Sequence, residues 1–101
     1  MITKNQIKYI QSLQLKKNRQ IHNSFIVEGA KNVLELLDSD FEIESLFITE
    51  PFYKENRIVL DKQNKTFELV NELELERLGT FNSNNAAIAV VKTKENRNLL
   101  A

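Results

Sequence analysis

Ser24-Phe25-Ile26-Val27-Glu28-Gly29-Ala30-Lys31-Asn32-Val33-Leu34-Glu35-Leu36-Leu37 changes its period in the middle. Up to Glu28 it is a short run rich in β-branched and aromatic residues, the composition of a buried strand. Gly29 follows as a permissive hinge. Beyond it Ala30, Val33, Leu34 and Leu37 fall at i, i+3, i+4 and i+7, the clearest helical stripe in the chain and a predicted core face. A strand, a hinge and an amphipathic helix in succession form the repeating unit of layered α/β domains.

Reading outward, the same alternation continues. Ile43 to Ile48 reads as a second strand, and Pro51 suits the first turn of a helix running to about Lys62, since it has no N–H to leave unpaired. Thr66 to Val70 is a third strand. The segment Glu72-Leu73-Glu74-Leu75-Glu76 alternates as a strand does, but its flanks favour a helix. Asn71 is a cap with Glu74 three residues on, Val70 and Leu75 form a staple pair, and Gly79 stops the turn. Ala86 to Val91 is small-residue-rich and predicted to be a central, buried strand. At the amino terminus Thr3-Lys4-Asn5-Gln6 is a capping box, with Ile2 and Ile7 as its staple. Ile7, Ile10 and Leu13 then share the inner side of a helix. Lys4, Lys8 and, if the helix extends so far, Arg19 lie nearly opposite, with Lys16 between the two faces. The expected fold is a layered α/β/α domain over residues 1–92, with a mixed, largely parallel four-stranded sheet. Residues 93–101 read as the start of a linker.

Composition bounds the function. The 101 residues, 42% hydrophobic and 28% charged, are those of one ordinary folded domain. There is no cysteine, which excludes disulfides and thiolate metal sites. The start lacks a signal-peptide run and no apolar stretch approaches the ~20 residues that cross a bilayer, so a cytoplasmic location without membrane is expected. His22 is the only histidine and reads as a surface residue; Gly29 and Gly79 are the only glycines, too few for a phosphate-cradling loop. No G-x-S-x-G occurs. The inventory is that of a binding module, with no catalytic or metal-binding residues. The net charge is zero, yet residues 1–31 hold six basic residues against Glu28 alone, while the remainder holds eight basic residues against thirteen acids. Such asymmetry fits a basic surface for a polyanion; it also fits chance clustering on solvated faces.

Lys8 and Leu13, then Lys16-Lys17-Asn18-Arg19, then Phe25-Ile26-Val27-Glu28-Gly29-Ala30-Lys31 resemble the start of the SpoU (TrmH-type) RNA methyltransferases. The matched pattern is a basic helix, K-x-x-R, and F-x-V-E-G followed by a basic residue. Leu46-Phe47-Ile48-Thr49-Glu50, Leu75-x-x-Leu78 before Gly79-Thr80, and Ala87-Ile88-Ala89-Val90-Val91 extend the likeness over about residues 2–92. The resemblance implies a substrate-binding domain with the fold of ribosomal proteins that bind kinked RNA, and ribosomal or transfer RNA as its partner. It also implies a following knotted domain that binds S-adenosylmethionine, methylates a ribose 2′-hydroxyl and forms the family's homodimer. This segment is then expected to hold no cofactor, to be non-catalytic and to be monomeric. Where many relatives carry a Pro-Gln-Gly-like segment, this chain has Asn84-Asn85-Ala86.

The candidate RNA contacts are Lys8, Lys16, Lys17, Arg19 and Lys31, each of which is otherwise a solvated charge. Arg19 has a second reading, an ion pair with Glu28. Glu28 and Gly29 are candidates for a structural or RNA-orienting role, since phosphate repels a carboxylate. Phe25 and Phe47 read as core, and Phe81 as the aromatic most open to base stacking. Two other classes remain open: a free-standing kink-turn RNA-binding protein, whose glycine-rich G-x-N-E-like entry is missing here, and a protein-interaction domain.

Overall fold

The structure, a computed structural model, describes residues 2–63, 66–79 and 86–94. In chain order the elements are α1 (Lys4–Ser12), α2 (Lys16–His22), β1 (Ser24–Glu28), α3 (Ala30–Leu37), β2 (Ile43–Ile48), α4 (Glu50–Glu55), α5 (Arg57–Gln63), β3 (Glu68–Leu69), α6 (Glu72–Leu78) and β4 (Ala87–Lys92). The strands form one mixed sheet in the order β1-β4-β2-β3. Phe81, Asn84 and Asn85, and the expected linker from residue 95 on, lie outside the described residues.

Strand–helix alternation anticipates strands that run the same way, and β1, β2 and β3 do. The last strand departs from that pattern. β4 enters between β1 and β2 and pairs antiparallel with both, so β2–β3 is the parallel pairing among the three. The sheet is therefore mixed, as expected, but less parallel in its ladders. β4 follows α6, which packs with α1 on one face of the sheet, and it enters the gap between β1 and β2 instead of extending the parallel order beyond β3.

β4 is central, and its period of two divides the molecule. Ala87, Ala89 and Val91 face α3, α4 and α5 through Val33, Leu36, Leu37, Phe52 and Leu60. Ile88 and Val90 face α1 and α6 through Ile10, Leu13, Leu75 and Leu78. Alanines on the first face let α3 approach closely. The α3 stripe is rotated from the expected one: Val33, Leu36 and Leu37 are buried, Leu34 is half-buried and Ala30 is exposed. The strand it covers pulls the buried arc toward Leu36, a neighbour of Leu37 that the i, i+3, i+4 count passed over. Both capping boxes are present, with Thr3 and Gln6 at α1 and Asn71 and Glu74 at α6. No described helix is long and apolar enough to cross a membrane.

The helix expected over residues 51–62 is two helices. Asn56 breaks it, at φ −121°, with its Nδ2 donating to the Phe52 carbonyl at 2.9 Å. A side chain that bonds its own backbone competes with the helical ladder. Beyond β4 the chain stays attached. The Thr93 N–H donates to the Asn23 carbonyl at 2.8 Å, and Lys94 pairs with Asp40 and lies 4.5 Å from the Phe41 ring centre. That lysine holds the Asp40 carboxyl below its usual range.

Candidate nucleic-acid interface

The basic segment is a second helix set at a corner, not the tail of the first. α1 ends at Ser12, Leu13 is buried, and Leu15 is extended and 63% exposed at the start of α2. The last carbonyls of a helix lack intrahelical partners. Here α2 supplies them. Asn18 Nδ2 donates to the Ser12 carbonyl at 3.0 Å, and Arg19 Nη1 donates to the Leu13 and Gln14 carbonyls at 2.9 Å each. Arg19 therefore fixes the corner, whatever else its other nitrogens meet. Arg19 and Glu28 line one hollow with Leu13, Gln14, Phe25 and Ile26.

Lys16 and Lys17 occupy the first turn of α2 and are exposed. A helix amino terminus carries partial positive charge, so cations there oppose the dipole and give the helix nothing. No acid occurs in α2, and neither Lys16 nor Lys17 pairs with an acid among the described residues. Lys31 repeats the arrangement in the first turn of α3, exposed and with no acid in that turn. α2 runs back along β1, since Asn23 turns its end directly into Ser24 while Arg19 faces Ile26 and Glu28. Its first turn thus lies toward the Glu28 end of β1, where α3 begins. Lys16, Lys17 and Lys31 are brought to one end of the sheet. Lys8 is exposed in the middle of α1, away from that end.

Glu28 and Gly29 are the pivot of this end. Gly29 has φ +98° and ψ 155°, a conformation open essentially to glycine alone, and its N–H donates to the Ala87 carbonyl at 3.0 Å. The Glu28 carbonyl accepts from Asn32 Nδ2 at 3.1 Å. Its carboxylate folds onto Gly79, where an added Cβ would lie 2.2 Å from Oε1. Gly79 is extended, at φ −109°, so it is glycine for lack of room and not for a left-handed stop. Two of the stretches that carry the family resemblance, F-x-V-E-G and L-x-x-L-G, thus meet in one contact. The ends of β2 and β4 close beside it, with the Thr49 N–H on the Ala86 carbonyl at 2.9 Å.

Sequence reasoning missed three parts of this region. Asn18, which in the sequence is simply part of a basic cluster, caps the end of α1. Gln11 Nε2 donates to the Arg77 carbonyl at 2.6 Å and ties α1 to the end of α6. The Tyr9 and His22 rings meet edge to face at 5.1 Å. No periodicity signals such caps and clasps, because they join residues across a corner. Tyr9 donates to Glu44 Oε1 at 2.9 Å, and burial pushes its phenol pKa up, with Glu44 adding to the rise and the Ser24 hydroxyl opposing it. Glu44 reaches it from a register shift between Ile43 and Ser45, a bulge of the kind that re-aims a side chain.

Comparison with known proteins bears on the family and the fold. The family model described as the MRM3-like substrate binding domain matches residues 4–89. Comparison with curated protein sequences finds no match. Among solved structures, an RNA 2′-O ribose methyltransferase superposes with a TM-score of 0.73 at 24% identity, over 92% of this chain and 36% of its own. A TrmH-family RNA methyltransferase from Porphyromonas gingivalis gives 0.70 at 26% identity, over 93% and 36%. An rRNA methyltransferase from Sinorhizobium meliloti gives 0.70 at 22%, over 93% and 36%. The chain spans about a third of the length of these proteins. With the family model covering all six described helices, three strands and half of the fourth, the chain belongs to the MRM3-like family, the substrate-binding domain of SpoU-type RNA methyltransferases.

Proposed function

We propose that this domain captures ribosomal RNA for a ribose 2′-O-methyltransferase that uses S-adenosylmethionine, with Lys16, Lys17 and Lys31 on phosphates. The observation that carries the reading is the placement of these lysines. They stand in the first turns of two helices that open toward one end of the sheet, where they weaken both helices unless an anion is present. Arg19 and Asn18 hold the corner that presents the first two, and Glu28 against Gly79 joins this end of the sheet. Lys8 is an outlying contact along α1.

The methyl donor belongs, in this reading, to a second domain outside the chain. Gly29 opens α3 and Gly79 is filled by the Glu28 carboxylate, so the residues here do not fit a nucleoside cofactor and no step of methyl transfer is assigned to them. The domain alone transfers no methyl group. The whole protein works in the cytoplasm as a homodimer joined through that second domain.

The test is binding of a structured ribosomal-RNA fragment at several salt concentrations. Phosphate contacts release counterions, roughly 0.7–0.9 per contact in the slope of log K against log salt. Lys16→Ala with Lys17→Ala is expected to flatten the slope by about 1.5 and to weaken binding similarly across RNA sequences, because phosphates carry no sequence information. An unchanged slope in the folded double variant overturns the assignment.

A further inference from the structure

The Tyr9–His22 pair lies at the other end of α2 from the lysines. The rings stand at 85° with centres 5.1 Å apart, and His22 is exposed. Both residues are held from behind. The Tyr9 hydroxyl donates to Glu44 Oε1, and Ser24 Oγ lies 3.4 Å from the same oxygen and 3.2 Å from the His22 carbonyl. Asn23 is left-handed at φ +54°, a conformation asparagine tolerates, and it fixes the corner at which His22 sits. Ile21 beside it is apolar and 60% exposed. Lys17 lies one turn earlier on the face of Ile21. One seven-residue helix thus carries cations at its start and a braced, open ring with an apolar neighbour at its end.

We propose that the Tyr9–His22 pair is a stacking platform for one unpaired base of the RNA. The inference rests on the RNA-binding reading and adds to it a contact of a different kind. A base presents a flat π face that stacks on imidazole and aromatic rings, and single-stranded RNA is recognised largely in this way. Tyr9 supports the imidazole and its bond to Glu44 restrains the ring pair. Glu44 faces the phenol and the Ser24 hydroxyl. Five to six steps of 1.5 Å place the platform roughly 8–9 Å along the helix from the lysines, so the strand crosses α2 along its length.

The experiment uses the chain and two probes in one buffer: a hairpin RNA with an unpaired loop, and the same hairpin with abasic sites in that loop. The wild-type chain is expected to prefer the intact loop by roughly ten-fold. His22→Ala should abolish that preference without changing the salt slope, because stacking displaces no counterion, and His22→Phe should restore it. An undiminished preference in His22→Ala, or an equal loss on both hairpins, overturns the platform. If the lysine variant flattens the slope while His22→Ala changes nothing, the platform falls and the RNA-binding reading stands. If the wild-type chain binds neither hairpin, both fall together.

Discussion

The chain breaks a helix twice, at residues 13–15 between α1 and α2 and at Asn56 between α4 and α5, and the two corners are built differently. At the first, the orphan carbonyls are taken by Asn18 and Arg19 from the next helix, above the buried Leu13. At the second, Asn56 bonds a carbonyl of its own turn, and the helix that follows exposes Ile58 at 83%. Their charges differ as well. Residues 16–22 hold Lys16, Lys17 and Arg19 with no acid, whereas residues 50–63 balance Lys54, Arg57 and Lys62 with Glu50, Glu55 and Asp61. The same local defect is coupled to the core and left positive in one place, and closed locally and neutralised in the other. A corner that presents charge to a partner has to be rigid and uncompensated, and only the first meets both conditions.

The largest contrast is expected in the core beneath them. Leu13 is 1% exposed and packs in the α1/α6 layer, so Leu13→Ala should cost about 2–5 kcal/mol. Ile58→Ala, on the outer corner, should change stability by less than about 0.5 kcal/mol. Denaturant melts of the two variants decide it. Equal losses would mean that the α4–α5 corner is also docked, and the comparison would break.

How much of this was legible in the sequence follows from the range of each interaction. Capping boxes at Thr3 and Asn71, the β1–Gly29–α3 unit and the central placement of β4 are written in residues close together, and they were readable. The break at Asn56 was not, because asparagine within a helical pattern bonds its own backbone only when the turn allows it. The antiparallel insertion of β4 was hidden for another reason: alternation fixes what an element is, not the gap it enters. At the candidate interface the lysines and the Glu28-Gly29 pivot were named from the sequence. The split between lysines that face solvent and an arginine that caps a helix was not, since K-K-N-R reads as one basic cluster until the corner is seen.

A smaller contrast separates the two kinds of cap. Arg19→Ala leaves two carbonyls without their charged donor and should cost about 1–3 kcal/mol, while Asn56→Ala loses one neutral bond, about 0.5–1.5 kcal/mol. Arg19→Lys sharpens the test, for an ammonium keeps the charge but not the planar fork. It should lose most of the stability that Arg19→Ala loses and retain the wild-type salt slope of RNA binding. A melt unchanged by Arg19→Ala would show that Asn18 alone secures the corner.

The smallest effect on stability, and the sharpest on function, comes from exchanging one exposed lysine at each corner. Lys54 pairs with Glu50 at 3.6 Å, one turn away, with both side chains about 70% exposed. Pairs of this kind contribute roughly 0.3–0.5 kcal/mol. Lys54→Ala also frees Glu50 at the start of α4, where a negative charge is favoured by the helix dipole, so the net loss should fall below that range. Lys17 opposes the dipole of α2, so Lys17→Ala should leave stability unchanged or raise it by a few tenths of a kcal/mol. On RNA the order reverses. Lys17→Ala should reduce the salt slope by about 0.7–0.9 and Lys54→Ala should leave it as it is, because a charge already neutralised by its own helix releases no counterions from RNA. Melts and salt titrations on the same two proteins separate charge that stabilises the fold from charge held for a partner, and equal slopes for the two would erase the distinction between the corners.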